Sequence, residues 1–126
     1  MKKKVLIIDD DQNILDVMSG YFESDDTFEG HTSISPQAGL ERLASEQFDL
    51  LITDIIMPEL NGLELIEKVK KLYPDLKILA CSGGGNSGAV VAGLALDQAI
   101  NEGACSAIPK PFTEEEFMTK VRSVLK

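Results

Sequence analysis

The 126-residue chain is predicted to form an α/β domain, in which a doubly wound sheet of five parallel strands lies between two layers of helices, five in all. Apolar runs of strand length alternate along the chain with amphipathic segments of helix length. This alternation is typical of a parallel sheet covered on both faces. Three of the strand-like runs also lead into acidic or basic residues, and the carboxyl ends of parallel strands open onto one ligand-binding crevice.

The first half of the chain contains two strand–helix pairs. Residues 4–9 are predicted to form the first strand and residues 12–24 the first helix, while residues 28–34 form a weaker strand. Ser35 and Pro36 begin the second helix, since a cap residue followed by proline is a helix start signal. The apolar positions of the two helices recur at helical spacing: Ile14, Leu15, Met18 and Phe22, then Ala38, Leu40, Leu43 and Ala44.

The second half repeats the pattern three times. Residues 49–53 form a buried central strand, and the third helix, which starts after Asn61-Gly62, stops at Tyr73-Pro74-Asp75. Residues 76–81 form the fourth strand. A glycine-rich stretch over residues 82–88 then leads into a helix that ends near Gly103.

A short strand and a capped helix complete the chain. Residues 104–108 form the fifth strand. Thr113 lies three residues before Glu116, which is the spacing of a capping box and predicts the start of the last helix.

Size and charge limit the possible functions. A mass of 13.7 kDa fits one domain over residues 1–126. No segment approaches the roughly 20 apolar residues of a membrane helix, and no signal-peptide core follows Lys2–Lys4. We therefore expect a cytoplasmic protein with no membrane contact. The net charge of -9 argues against direct binding of nucleic acid.

The two cysteines and the histidine are expected to be structural. Cys81 and Cys105 lie in apolar or small-residue surroundings, and we predict that both are reduced core thiols. His31 lies in a short polar segment and is expected at the surface. Because the chain has one histidine, no metal or nucleophile–base role is expected for it.

Acids and a lysine follow three of the predicted strands. Asp9 and Asp10 follow the first strand, Asp54 follows the third and Lys110 follows the fifth. Carboxylates in contact repel one another unless a cation neutralises them, and Mg²⁺ prefers such oxygen ligands. The alternative to a cation site is that the acids cap the N-termini of helices, and this alternative remains open for Asp11.

These groups match the requirements of phosphoryl transfer, which needs a nucleophile, a metal ion and further donors for the developing charge. Asp54 is a candidate carboxylate nucleophile, and Ser82 and Lys110 are candidate partners of the phosphoryl oxygens. Taken singly, a serine such as Ser82 is more often a cap or loop hydroxyl, and a lysine such as Lys110 is more often a solvated surface charge.

In order and spacing, the chain resembles over essentially its whole length the receiver domain of two-component response regulators, such as single-domain chemotaxis regulators. The motifs are Asp9-Asp10, Asp54-Ile55-Ile56-Met57-Pro58 with Asn61-Gly62, Ser82-Gly83, and Gly103-Ala104 through Lys110-Pro111-Phe112. The resemblance implies a flavodoxin-like fold with strand order 2-1-3-4-5.

The resemblance also implies a set of site roles. Mg²⁺ would be held by Asp10, Asp54 and the backbone carbonyl of Ile56, while Asp9 orients a metal-bound water.

Asp54 would accept a phosphoryl group from the phosphohistidine of a histidine kinase, or exchange it with a histidine phosphotransfer protein. Ser82 and Lys110 would bind the phosphoryl oxygens. The protein would then be a phosphorylation switch rather than an enzyme with an external substrate, catalysing only its own phosphotransfer and dephosphorylation. Its output would be a downstream protein target or an attached output domain.

Two features depart from the family pattern. Ala107 occupies a position where receivers usually carry a switching aromatic residue, and the segment after Ser82, with Gly83 and Gly84, is longer than usual. Our hypothesis is that phosphorylation orders this loop in place of an aromatic flip; the alternative is an insertion without a signalling role. Amide hydrogen exchange with and without a phosphoryl mimic separates the two, since unchanged protection over residues 83–95 contradicts the hypothesis.

Three other functions are compatible with parts of the sequence. A haloacid-dehalogenase-type phosphatase would use the acids at Asp9 and Asp11, but it needs a threonine near Asn13 and a later acidic pair. A flavin-binding module needs a Ser/Thr-rich phosphate loop where this chain has acids. A receiver-like interaction module that is not phosphorylated remains the alternative, and uptake of phosphate distinguishes it from the switch.

Overall fold

The structure is a computed structural model that describes residues 2–55, 62–82, 100, 103–110 and 112–125. Strands and helices alternate along it, in chain order β1 (Lys3–Ile8), α1 (Gln12–Glu23), β2 (Phe28–Ser33), α2 (Pro36–Ser45), β3 (Leu50–Asp54), α3 (Gly62–Leu72), β4 (Lys77–Ser82), β5 (Ser106–Pro109) and α4 (Glu114–Val124). All five predicted strands are present. The described residues contain four of the five predicted helices. Of the helix predicted between the glycine-rich stretch and Gly103, Ile100 alone is among the described residues.

The five strands form one parallel sheet in the order β2-β1-β3-β4-β5. This confirms the order 2-1-3-4-5 that the resemblance implies. β1 and β3 are direct neighbours, so residues that follow Ile8 meet residues that follow Thr53. The described part of β5 pairs with β4 and lies three strands from β1.

Both faces of the sheet are buried, because successive side chains of a strand point to opposite sides. Leu6 and Ile8 belong to a core cluster with residues of α2 and α3. Val5 and Ile7 belong to a second cluster with residues of α1 and α4. The predicted three-layer architecture is therefore confirmed, and the apolar runs of the central strands reflect burial on both faces.

The predicted helix starts are also confirmed. The Ser35 side chain accepts a hydrogen bond from the Ala38 N–H, with Pro36 at the first turn of α2. At α4, Thr113 and Glu116 form both bonds of a capping box. Asp11 caps α1 by accepting from the Asn13 N–H at 2.9 Å. Each cap satisfies a backbone donor that the helix itself cannot pair.

A glycine brings α2 close to the carboxyl end of β1. A Cβ atom added at Gly39 would clash with the Ile8 side chain, which lies within 2.8 Å at Cγ1 and closer at Cδ1. Since Ile8 immediately precedes Asp9, this contact packs α2 against the strand that delivers the first acids of the crevice.

Several local expectations need correction. Strand boundaries differ from the predicted ones by one or two residues. Cys105 is exposed, so the prediction that it is a core thiol was wrong; its backbone N–H bonds to the Ile78 carbonyl just before β5 begins, and its side chain is left outside the core. His31 is half-buried rather than freely exposed. In the part of the chain that the structure describes, every helix is too short or too polar to cross a membrane.

Candidate functional site

Three aspartates converge at the carboxyl ends of two neighbouring strands. Asp9 and Asp10 directly follow β1, and Asp54 is the last residue of β3. Each offers one carboxylate oxygen to a group whose members all lie within 4.8 Å of one another. Asp9 and Asp54 are buried, at 1% and 8% exposure, whereas Asp10 is exposed. The crevice therefore has a buried acidic floor and one acid at its mouth.

Asp9 is held in place by contacts on both of its carboxylate oxygens. Oδ1 accepts the Asp11 backbone N–H at 2.9 Å, and Oδ2 accepts a hydrogen bond from Lys110 Nζ at 2.8 Å. The Asp9 backbone N–H in turn donates to the Ser33 carbonyl at 3.3 Å. A buried carboxylate is costly without such partners, so these bonds explain how Asp9 is accommodated.

Lys110 links the two buried acids. Its Nζ atom lies 2.8 Å from Asp9 Oδ2 and 3.4 Å from Asp54 Oδ2. Burial lowers the pKa of Lys110, but the hydrogen bond to Asp9 and the negative charges of Asp54 and Asp9 outweigh burial, and the pKa is raised. Lys110 is therefore a charged ammonium group at neutral pH.

Cys81 lies beside this site, and its thiol is unreactive. It pairs with Asp54 in the β3–β4 register, and its carbonyl accepts the Ile55 N–H at 2.9 Å. Burial raises the pKa of the Cys81 thiol to about 12, with Lys110 lowering it and the two acids raising it further. Since the thiolate is the nucleophilic form, Cys81 acts here as a buried apolar side chain, as predicted.

The remaining predicted site residues are only partly described. Ser82 ends β4 and pairs with Pro109 of β5, which places its backbone at the same edge of the sheet as Asp54 and Lys110. Ala107 pairs with Ala80 and packs, half-buried, against the core cluster shared with α3. Ile56, Gly83 and Gly84 lie outside the described residues.

The donor set fits a small divalent cation. Carboxylate oxygens are the hard ligands that Mg²⁺ prefers, and oxygens within 4.8 Å of one another can share one ion directly or through its water ligands. Among the described residues, this cluster brings three carboxylates and one ammonium group together, so acidic groups outnumber the lysine. A cation would therefore relieve repulsion that Lys110 only partly offsets.

The site also uses backbone groups that sequence reasoning did not assign. Asp11 was expected only to cap a helix, yet its N–H also holds Asp9. An aspartate accepting the N–H two residues later is a common local turn, so this contact had a sequence signal. The contact between the Ser33 carbonyl and the Asp9 N–H had no sequence signal, because every residue carries a carbonyl.

Comparison with known proteins identifies the family of the chain. The family model of the response regulator receiver domain matches residues 5–122. The chain belongs to this family. A receiver domain is a signalling domain of two-component systems, and phosphorylation and Mg²⁺ binding are typical of the family.

Curated relatives of this receiver domain are longer proteins. Response regulator MprA of Mycobacterium ulcerans is 31% identical over 129 aligned residues, which cover all of this chain and 51% of the relative. Response regulator SaeR of Staphylococcus aureus is 28% identical over 96% of this chain and 50% of the relative. The chain thus spans about half the length of the curated relatives it matches.

Solved structures show the same fold. A CheY-like response regulator receiver domain protein from Methanospirillum hungatei is 30% identical, with a TM-score of 0.86 over 99% of this chain and 94% of the other. The receiver domain of NtrX from Brucella abortus is 28% identical, with a TM-score of 0.84 over 96% and 97% of the two chains. The chain therefore shares the overall fold of these receiver domains.

Proposed function

We propose that residues 1–126 act as a phosphoacceptor receiver in which Asp54 takes a phosphoryl group from a phosphohistidine. The observation that carries this proposal is the position of Lys110, whose ammonium group contacts both Asp9 and Asp54 beside a third carboxylate. This arrangement combines a carboxylate nucleophile, an acidic cluster suited to a cation and a fixed positive charge. Phosphoryl transfer needs these three elements in one place.

The transfer step conserves atoms and charge. A carboxylate oxygen of Asp54 attacks the phosphorus of the donor phosphohistidine, an O–P bond forms and the P–N bond breaks. The electron pair returns to the donor imidazole, which takes up a proton. Lys110, whose Nζ atom lies 3.4 Å from an Asp54 oxygen, would donate to a phosphoryl oxygen. Ser82, the last residue of β4, is proposed to donate its hydroxyl to another. Attack of water on the acyl phosphate later restores Asp54.

Asp10, Asp54 and the Ile56 carbonyl would hold Mg²⁺, and Asp9 would orient one of its water ligands. When bound, the ion supplies positive charge for the phosphoryl oxygens. Asp9 is suited to an indirect role because both of its oxygens already accept hydrogen bonds from the protein. Asp10 is suited to a direct role because its exposed carboxylate has access to a hydrated ion.

The proposed partners follow from this chemistry. The phosphodonor is a histidine kinase or a histidine phosphotransfer protein, and the output is a protein target or an output domain, because the curated relatives are about twice as long as the region they share with this chain. The cytoplasm is the proposed location. Ala107 has no aromatic rotamer to switch, so the change around Ser82 is proposed to act through the glycine-rich loop.

Intact mass after incubation with acetyl phosphate and magnesium tests the proposal. We expect a single phosphate adduct on the parent protein and complete loss of that adduct in Asp54→Asn or in a chelator. Asp75→Asn is the matched control, because Asp75 is an exposed turn residue outside the acidic cluster. This variant is expected to be labelled like the parent.

Two results would contradict the assignment. Labelling that persists in Asp54→Asn would place the phosphoryl group on another residue. Failure of both acetyl phosphate and a phosphorylated histidine kinase to label the parent would instead favour the interaction module that is not phosphorylated.

A further inference from the structure

The single histidine of the chain connects the edge strand of the described sheet to a helix. His31 lies on β2, and its Nδ1 atom is 2.8 Å from Arg42 Nη2 on α2. Its Nε2 atom is 2.9 Å from Glu29 Oε2 on the same strand. Among the hydrogen bonds of the described residues, the Arg42–His31 bond is the one that joins the side chains of β2 and α2.

Donor and acceptor rules determine the protonation state of this contact. A guanidinium group can only donate hydrogen bonds, so the His31 nitrogen facing Arg42 must be an unprotonated acceptor. The other ring nitrogen, Nε2, then carries the proton and donates a hydrogen bond to Glu29. The observed geometry therefore requires a neutral imidazole with its proton on Nε2. An imidazolium ion, which donates from both nitrogens, cannot form the bond with Arg42.

The two carboxylates nearest to His31 and Arg42 have lowered pKa values. The hydrogen bond from His31 lowers the pKa of Glu29. Hydrogen bonds from Lys4 and then Arg42 lower the pKa of Glu46. Both carboxylates are therefore ionised at the mildly acidic pH where histidines commonly gain a proton.

Each element packed against His31 presents a known set of groups. β2 itself offers Glu29, and α2 with its cap offers Arg42 and Glu46. β1 offers Lys4, which pairs with Glu46 at 3.0 Å and, with Lys2, acts on Glu29 through charge. On the opposite face of β2, α1 packs through the apolar contact of Phe22 with Gly30.

Arg42 has a second partner that keeps it on its helix. Its Nε and Nη2 atoms donate to Glu46 Oε2 at 3.0 and 2.8 Å. Arg42 can therefore give up His31 without losing all of its charge compensation. The Phe48 ring lies beneath this network, with the His31 ring edge-on at 5.6 Å and the Arg42 guanidinium 5.8 Å from its centroid. A new position of either side chain would change this packing as well.

We propose that protonation of His31 breaks its hydrogen bond with Arg42 and loosens the C-terminal half of α2 from β2, so that the packing of this helix is sensitive to pH. Once a proton occupies the Nδ1 lone pair that accepted the hydrogen bond from Arg42, the imidazolium and the guanidinium repel each other. Of these two hydrogen bonds, His31 then retains the one to Glu29. His31, Arg42 and Glu29 are not members of the acidic cluster, so this proposal does not rest on phosphorylation of Asp54.

Nitrogen NMR of the single histidine provides the first test. In the parent at about pH 8, above the ordinary histidine range, we expect the tautomer with the proton on Nε2. The tautomer with the proton on Nδ1 would overturn the proposal, because its geometry excludes Arg42 as a donor. This measurement needs no variant.

Amide hydrogen exchange, corrected for intrinsic rates, tests the consequence. Between about pH 8 and about pH 5.5, protection over residues 42–46 is expected to fall about tenfold in the parent, as loss of a hydrogen bond with a charged donor implies. His31→Gln is the matched variant, since its amide can accept from Arg42 and donate to Glu29 without titrating. Its protection should stay constant, as should that of α4 in both proteins.

Equal loss of protection in the parent and in His31→Gln, or no loss in the parent, would overturn the proposal. Arg42→Gln supplies a second variant if His31→Gln does not fold. This variant removes the cation that clashes with imidazolium, so its α2 protection is expected to be independent of pH in the same range. A pH-dependent loss that persists in Arg42→Gln would also overturn the proposal.

Discussion

Replacing Lys110 with methionine is expected to lower the free energy of unfolding by about 3–5 kcal/mol in a chelating buffer at neutral pH, because the remaining partner of the ion pair, Asp9, is a buried charge. The reason is the position of its ammonium group, 2.8 Å from an oxygen of the buried Asp9 and 3.4 Å from one of Asp54. Methionine fills a similar volume but leaves both carboxylates without this cation. Denaturant unfolding of the two proteins measures the difference.

Magnesium should reduce this loss, because an ion bound to the acids supplies positive charge where Lys110 did. Lys68→Met is the matched control, since Lys68 is exposed on α3, and it should change stability by no more than about 0.5 kcal/mol. A Lys110→Met protein as stable as this control would show that Asp9 tolerates burial without the lysine.

The effect of Lys110 should also depend on pH in a defined direction. The folded-state pKa of Lys110 is raised above its ordinary value of 10.5. The contribution of Lys110 to the free energy of unfolding is therefore fully present below about pH 10.5, and it is lost as the pH rises through the folded-state pKa. The stability gap between the parent and Lys110→Met should be constant near neutrality and should narrow only in strongly alkaline buffer.

Magnesium is expected to stabilise the parent by about 3 kcal/mol at a hundred times its dissociation constant, as any ligand of the folded state does. In chelator, Asp54→Asn should be more stable than the parent by about 1–4 kcal/mol, the range for one charge pair about 4 Å apart between bulk water and an effective dielectric constant of about 20. The substitution removes repulsion with two carboxylates whose ligand oxygens lie within 4.8 Å. It also removes the 3.4 Å contact with Lys110, but Lys110 keeps its closer bond to Asp9.

Thermal midpoints of both proteins, each measured in chelator and in magnesium, check these expectations. Magnesium should raise the midpoint of the parent more than that of Asp54→Asn, because the variant offers one carboxylate fewer. Asp75→Asn serves as the control and should respond to magnesium like the parent. A lower thermal midpoint for Asp54→Asn than for the parent in chelator would contradict the predicted repulsion among the acids. A parent midpoint that does not change with magnesium would contradict the predicted binding of the ion.

Local patterns were sufficient to predict most of the elements. The cap residues Ser35 and Thr113 and the stop after Leu72 were read correctly, because each depends on hydrogen bonds and dihedral preferences within a few residues. Strand ends were less accurate by one or two residues, since a strand ends where its neighbour stops pairing. Pairing partners such as Ser82 and Pro109 are 27 residues apart in sequence, so local patterns do not show where pairing stops.

Burial of individual polar and sulfur side chains could not be read from local sequence. Cys81 and Cys105 lie in similar surroundings along the chain, yet the first is buried beside Asp54 and the second is exposed. His31 follows a polar pattern but is half-buried because Arg42 and Phe48 cover it from α2 and the loop after it. Such differences depend on which elements pack over a residue.

The sequence by itself determined the fold class, the family and the set of acids, because hydrophobic period, caps and charged strand ends are local properties of the chain. Only the tertiary structure decided the contacts that make the crevice. Lys110 follows a strand that lies three positions from β1 in the sheet, at about 4.8 Å per neighbouring pair. Its Nζ atom nevertheless lies within hydrogen-bonding distance of Asp9. The path of the chain beyond each strand end sets such distances, and it depends on how all three layers pack.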